Sequence, residues 1–290
     1  MNFEIFKTNK VKTNFEIRFA SHPNDAKFYD TQRFRKEFLI ENIFQPDAVN
    51  WVYSDYDRYM AGGIYPVNEI LELQTIDPLK ANYFLERREL GIINIGGNAI
   101  ITIDGIYFEI SSKEALYVGQ GNKTVTFKSI NPAFPAKLYV NSAPAHVSYP
   151  IKKIGLADAD ALEMGAPQTS NQRRINRLIV NSIVKTCQLQ MGLTEFQPGS
   201  VWNTMPPHTH SRRMEVYFYF EIPDNQAVCH FMGQTDETRH IWVQNEQAVI
   251  SPSWSIHAGA GTAKYAFIWG LAGENLDYGD MDVCQPCDLR

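Results

Sequence analysis

In the segment Met205-Pro206-Pro207-His208-Thr209-His210-Ser211-Arg212-Arg213-Met214-Glu215, two imidazoles stand two residues apart and a carboxylate follows five residues later. On an extended strand, residues i and i+2 project from the same face, so His208 and His210 present ring nitrogens to one point while Thr209 turns away. Counting by twos from His210 puts Glu215 on the wrong face unless the strand breaks at Ser211-Arg212-Arg213. The run Glu215-Val216-Tyr217-Phe218-Tyr219-Phe220-Glu221 supports that break. Its alternation places Glu215, Tyr217, Tyr219 and Glu221 on one side and Val216, Phe218 and Phe220 on the other. Glu215 then lies in a polar layer and meets the two histidines across a hairpin. The fourth candidate, His257, comes forty-two residues after Glu215, where Pro252 ends one strand and the histidine opens the next. Together these four side chains read as a metal site. Of the remaining histidines, His22 and His146 read as loop residues, and His230 and His240, on apolar strand runs, read as core histidines.

The strand signals extend over most of the chain. Short β-branched runs between Gly91 and Ile110 are separated by Gly96-Gly97-Asn98 and Asp104-Gly105, two hairpin signals whose turns need positive φ. One amphipathic helix is predicted from Ala26 to about Phe44, with Phe28, Phe34, Phe38, Leu39 and Ile43 on its apolar face. Residues 151–172 lose the alternation and read as a linker. Glu114-Ala115-Leu116-Tyr117-Val118 can be laid on Gln247-Ala248-Val249-Ile250-Ser251, but the first copy has no counterpart of the HxH pair or of His257. The fold class is therefore all-β with a few helices: two jelly-roll barrels, of which the second alone carries a metal. At 290 residues the chain exceeds what one core usually supports. The expected division is an N-terminal barrel with an early helix over 1–155 and a metal-binding barrel over 156–290.

A net charge of −5, with Lys and Arg never running beyond two or three in a row, lacks the footprint of a nucleic-acid or anionic-membrane binder. No apolar leader or spanning stretch is visible, so a soluble, cytoplasmic protein is expected. Four scattered cysteines do not make a disulfide framework, and Cys284-Gln285-Pro286-Cys287 has neither a second CxxC nor a βαβ context to give it a function.

His208-x-His210-x4-Glu215 followed by Pro252-x4-His257 resembles the two signature motifs of the cupin superfamily, with Trp254 where many cupins have glycine. The longer stretches Ser200 to His210, Arg213 to Phe220 and Ile250 to His257 resemble the 4-deoxy-L-threo-5-hexosulose-uronate ketol-isomerase (5-keto-4-deoxyuronate isomerase) family. So do Arg35-Lys36-Glu37-Phe38-Leu39, Asp57-Arg58-Tyr59 and Gly62-Gly63-Ile64-Tyr65-Pro66 in the first half. The resemblance implies a bicupin of two double-stranded β-helix barrels. It also implies a zinc ion held by His208, His210, Glu215 and His257, a hexamer, and an aldose-to-ketose shift on the 5-keto aldehyde to which the unsaturated uronate of pectin breakdown rearranges.

Such a shift needs a base for the C2 proton. Glu215 is the candidate, although it is also a ligand. The substrate carboxylate calls for a guanidinium, for which Arg173 and Arg213 are the candidates. Tyr217 and Trp254 are the expected sugar-pocket residues. Two other activities stay open at this stage. One is 5-deoxy-glucuronate isomerisation in inositol breakdown, and the other is a metal-dependent cupin dioxygenase, because a His and carboxylate set also suits Fe(II).

Overall fold

A computed structural model describes residues 12–290; the first eleven residues, part of the leader reading above, lie outside it. Two units of the same architecture stand back to back. Each pairs a seven-stranded sheet with a four-stranded one, and the strands follow each other in the same spatial order in both. In the first unit the long sheet runs Lys12–Arg18, Ala48–Ser54, Met60–Tyr65, Leu138–Pro144, Arg88–Asn94, Ala115–Val118, Lys152–Ile154. In the second it runs Asp160–Met164, Arg173–Ile179, Gln190–Phe196, Ala266–Gly273, Arg213–Phe220, Gln247–Ser251, Leu39–Ile40. Ala115–Val118 and Gln247–Ser251, matched in the sequence, both hold the sixth position. The chain is all-β with few helices, as expected of a double jelly roll.

The pleat explains how one strand can serve two cores. On Arg213–Phe220 every residue is buried. Val216, Phe218 and Phe220 enter the cluster between the two long sheets, where Phe218 stacks on Tyr139 of the first unit at 4.3 Å between ring centroids. Tyr217 and Tyr219 turn into the second barrel's own interior with Phe267, Trp269 and Leu271. The core of the first barrel includes Ile92, Ile101, Ile103 and Phe127. The long sheets approach so closely that a Cβ on Gly270 would lie 2.2 Å from Asn141 Oδ1 and 2.4 Å from the Tyr59 hydroxyl. Glycine is required there for space, not for conformation.

Three local expectations are corrected. The predicted helix is two pieces, Pro23–Ala26 and Thr31–Phe38, because the Asp30 side chain accepts from the Arg33 amide and caps a new start. The chain then continues as strand Leu39–Ile40, pairing with Gln247–Ser251 of the second barrel, while Phe28 is exposed. Asp104-Gly105 is a hairpin turn with positive φ at both residues, 45° and 87°. Gly96-Gly97-Asn98 instead joins strands of two different sheets, and its glycines serve close approach: a Cβ on Gly97 would lie 1.9 Å from the Phe134 carbonyl oxygen. The stretch read as a linker contains strands Lys152–Ile154 and Asp160–Met164, each closing an edge of a long sheet.

Candidate metal centre and its surroundings

The break before Glu215 is present, and it sets the site. His208 opens the two-residue strand His208–Thr209, the chain turns at Ser211-Arg212, and the long strand begins at Arg213. Glu215 therefore starts the inward-facing row of that strand, opposite Ser251 on one side and Leu271 on the other. His257 enters just before strand Ala258–Gly261 of the facing four-stranded sheet.

All four side chains are buried and point at one spot. One ligand atom from each lies within 4.8 Å of the others. His208 Nε2 is 3.1 Å from His210 Nε2 and 3.0 Å from His257 Nε2, and Glu215 Oε2 is 3.3 Å from His210 Nε2 and 3.0 Å from His257 Nε2. Donors about 2.0–2.1 Å from a tetrahedral ion stand about 3.3 Å apart, so these separations suit a small divalent cation. The electrostatics agree. Burial, reinforced by the adjoining His257 and His210, pushes the His208 imidazole down to about 2, so it is neutral. Burial alone would raise the Glu215 carboxyl, but His257 and His210 beside it hold it well below the usual carboxylate range. The His208 imidazole and the Glu215 carboxylate, with the ring nitrogens of His210 and His257, form a donor set that could hold a metal ion.

The second ring nitrogens are anchored. His210 Nδ1 lies 2.6 Å from the Asp280 backbone oxygen, and His257 Nδ1 lies 3.3 Å from Ser251 Oγ. Such contacts fix ring orientation and present Nε2 inward. Asp280 belongs to a C-terminal segment that straps over this end of the barrel. Its strand Asp282–Val283 pairs with His208–Thr209, and the Cys284 amide donates to the Pro207 carbonyl. Arg213, 1% exposed, secures the strap by donating to the carbonyls of Asp277, Tyr278 and Asp280 at 2.6, 3.2 and 3.3 Å. Replacing Arg213 by Ala releases those carbonyls and frees the ring of His210. We expect metal affinity to fall about 10- to 100-fold, measurable by competition with a chromogenic chelator.

Of the other residues singled out in the sequence, Tyr217 is at the site: its ring centroid is 5.2 Å from that of His257, and its hydroxyl is 2.9 Å from Thr204 Oγ1. Arg173 is 7% exposed, has the Asn171 carbonyl as its hydrogen-bond acceptor at 2.9 Å, and has no carboxylate partner among the described residues. Trp254 packs at an angle on Phe38 of the N-terminal helix, 6.1 Å between centroids. Cys284 and Cys287 are free thiols on the strap. A groove of about 1180 Å³ lies between strand Lys12–Arg18 and helix Thr31–Phe38, and none of its lining residues belongs to the metal cluster.

Of the two histidines read as core residues, only His230 is buried. His240 is exposed. His230 is buried within the second barrel but only half paired: Nδ1 is 2.7 Å from the Tyr219 hydroxyl, while Nε2 has no partner. Gln190 is likewise buried with both amide atoms unpaired, in the cross-strand row of Leu271 and Glu215. No sequence signal marked Gln190 or Asp280, the latter because it contributes a backbone carbonyl. Burial lowers the His230 imidazole from its usual value near 6.5 to about 3. Between those values the unfolded chain binds the proton and the folded chain does not, so stability falls as pH drops from about 6.5 toward about 3. The contribution of His230 to that slope reaches about 1.4 kcal/mol per pH unit. Urea unfolding at several pH values in this range should show a shallower dependence in His230→Phe.

The sequence model of the KduI/IolB family matches residues 41–283. The chain belongs to that family. Among curated relatives, the 4-deoxy-L-threo-5-hexosulose-uronate ketol-isomerase of Formosa agariphila is 59% identical over 97% of this chain and all of its own length. The proteins of that name from Bacteroides fragilis and Lachnoclostridium phytofermentans are 58% and 53% identical, over 97% and 95% of the chain and all of theirs. Among solved structures, an IolB-like protein of Salmonella typhimurium superposes with a TM-score of 0.67 at 13% identity, covering 85% of this chain and 96% of that one. The oxalate decarboxylase of Lactobacillus farciminis superposes at 0.55 and 12% identity, covering 77% and 79%. At these identities the two structures establish the shared cupin fold.

Proposed function

We propose that the protein is a zinc-dependent ketol-isomerase that converts 4-deoxy-L-threo-5-hexosulose uronate into 3-deoxy-D-glycero-2,5-hexodiulosonate. The observation that carries this reading is a complete cluster of His208, His210, Glu215 and His257 in a chain so similar, end to end, to relatives named for that reaction. The shift of the carbonyl from C1 to C2 consumes no oxidant. The C2–H bond breaks, its electron pair forms the C1–C2 double bond of an enediol, and C1 then takes a proton as the C2 carbonyl forms. A bound zinc ion supplies positive charge that polarises the C1 carbonyl and offsets the charge growing on its oxygen. Glu215 is the proposed base. Its Oε2 is the atom shared with His210 and His257, which leaves Oε1 to accept the C2 proton.

Arg173 is the proposed partner of the substrate carboxylate, being a buried guanidinium with no acid beside it. Arg213, the other candidate, already donates from both terminal nitrogens to the C-terminal strap. Tyr217 shapes the pocket beside His257, and Trp254 acts at its edge by packing the loop before His257 onto the N-terminal helix. Division into a structural barrel over 1–155 and a catalytic barrel over 156–290, with residues 39–40 lent to the second, is part of the same proposal. Assembly into a hexamer in the cytoplasm completes it. The exposed Phe15, Phe19, Ile106, Tyr107 and Phe134 are apolar surface that subunit contacts would cover.

A proton NMR time course of the zinc-loaded protein with freshly made substrate in D₂O tests the reaction. Loss of the hydrated-aldehyde signal and growth of a C1 hydroxymethyl signal are expected. No conversion with zinc bound sinks the proposal and directs attention to 5-deoxy-glucuronate, the substrate of the isomerase weighed above from inositol breakdown.

A further inference from the structure

The two barrels share one strand plan, so a position-by-position comparison shows what the fold needs and what it does not. Strand Val228–Gln234 of the second barrel occupies the place that Ala99–Ile103 occupies in the first. The first fills its interior from that strand with Ala99, Ile101 and Ile103; the second uses Val228, His230 and Met232. A buried imidazole thus stands where packing is satisfied elsewhere by an aliphatic side chain. Its environment is specific. The Tyr219 hydroxyl lies 2.7 Å from His230 Nδ1, and its other polar neighbour, the Asn203 side-chain amide, acts on it as a donor. Its proton therefore goes to Nδ1, and the neutral ring carries its own proton on Nε2. The Nε2 atom is buried and has no partner among the described residues. The Tyr217 ring links it to the metal cluster, 5.8 Å from the ring of His230 and 5.2 Å from that of His257. Leaving a buried donor without an acceptor is costly, and such groups are rare unless something else completes them.

We infer that His230 is a substrate-contacting residue, held by Tyr219 so that its Nε2–H is donated to an oxygen at the reacting C1–C2 end of a polyhydroxy aldehyde acid. This rests on the isomerase reading and adds to it a neutral donor outside the metal ligands. As charge builds on the substrate oxygen the hydrogen bond strengthens, which is where a fixed donor lowers a barrier. The low proton affinity of the ring suits the role, since it stays neutral and gives up no proton to solvent. Gln190, with both amide atoms unpaired in the row of Glu215, is a second polar group on the same interior wall.

The test compares wild type, His230→Phe, His230→Gln and Tyr219→Phe, each zinc-loaded with the metal content measured, by the NMR conversion assay and by thermal unfolding. His230→Phe should keep its zinc, lose about 100-fold in kcat/KM mainly through kcat, and unfold no earlier than wild type. His230→Gln, which retains an N–H donor, should recover about tenfold of that loss, and Tyr219→Phe, which frees the ring, should lose about tenfold. The inference is overturned if zinc-loaded His230→Phe stays within about threefold of wild type. It is equally overturned if the Phe and Gln variants lose activity alike with lowered unfolding midpoints, the mark of a packing role. Should His230→Phe fail to fold, unchanged kcat in Tyr219→Phe overturns it. Failure of the wild type to convert the substrate would instead overturn the isomerase reading.

Discussion

Replacing Glu215 by Gln should reduce kcat by about 10³-fold while a metal ion remains bound. The amide keeps the size of the side chain and one oxygen that can face the histidines, so the three imidazoles still converge. What is lost is the anionic oxygen that removes the C2 proton. Two measurements separate this from simple loss of metal: zinc per chain by elemental analysis, and exchange of the C2 proton with D₂O followed by NMR. Exchange should stop together with turnover. A Gln variant that holds zinc and still turns over within tenfold of wild type would remove Glu215 from the role of base and leave it as a ligand alone.

A second large effect is expected far from the chemistry. Glu89, on strand Arg88–Asn94 of the first barrel, is fully buried. It accepts from the backbone amides of Cys187, Gln188 and Leu189, each at 2.8 Å, and from the Tyr117 hydroxyl at 2.7 Å. One carboxylate thus satisfies three consecutive amides of the chain entering strand Gln190–Phe196 and ties the two barrels together. Glu89→Leu fills the same space but leaves four donors unpaired, two of them fully buried and two half-buried, a loss of about 3–5 kcal/mol. For a protein of this size that lowers the thermal midpoint by about 10 °C. Glu89→Gln, which keeps one good acceptor, should lose less than half as much. Calorimetry of the two variants checks the order, and a Leu variant as stable as wild type would show that the loop finds other acceptors.

The metal cluster was legible because its chemistry is local in pattern. Two histidines at i and i+2, a carboxylate after a strand break and a histidine at a strand start are positions that alternation can assign to a face. The alternation of Glu215 to Phe220 also held, with the refinement that both faces are buried, one looking into the barrel and the other onto the companion sheet, whereas Glu221 lies past the strand end and is exposed. The N-terminal helix was overextended because apolar spacing continues past Phe38 into a strand, and Leu39 and Ile43 are apolar for the sake of the sheet and the inter-barrel core. Gly96-Gly97 was read as a hairpin because glycine that relieves a steric contact and glycine that supplies positive φ look alike in a sequence. The strand Asp160–Met164 was missed because an exposed edge needs no apolar alternation.

From the sequence alone came the β class, the duplication and the identity of four side chains that converge, since each depends on period-two patterning and on the donor chemistry of single residues. Only the tertiary structure decided which groups complete the site. Asp280 acts through a carbonyl that any residue would carry, and Arg213 holds down a strap more than sixty residues away in sequence. Among the described residues, Arg173 has a backbone carbonyl but no carboxylate beside it, and Gln190 and His230 Nε2 differ from ordinary buried polar groups in lacking partners. Whether a buried polar group has a partner is a property of what the fold brings next to it, and so does not belong to any residue's place in the chain.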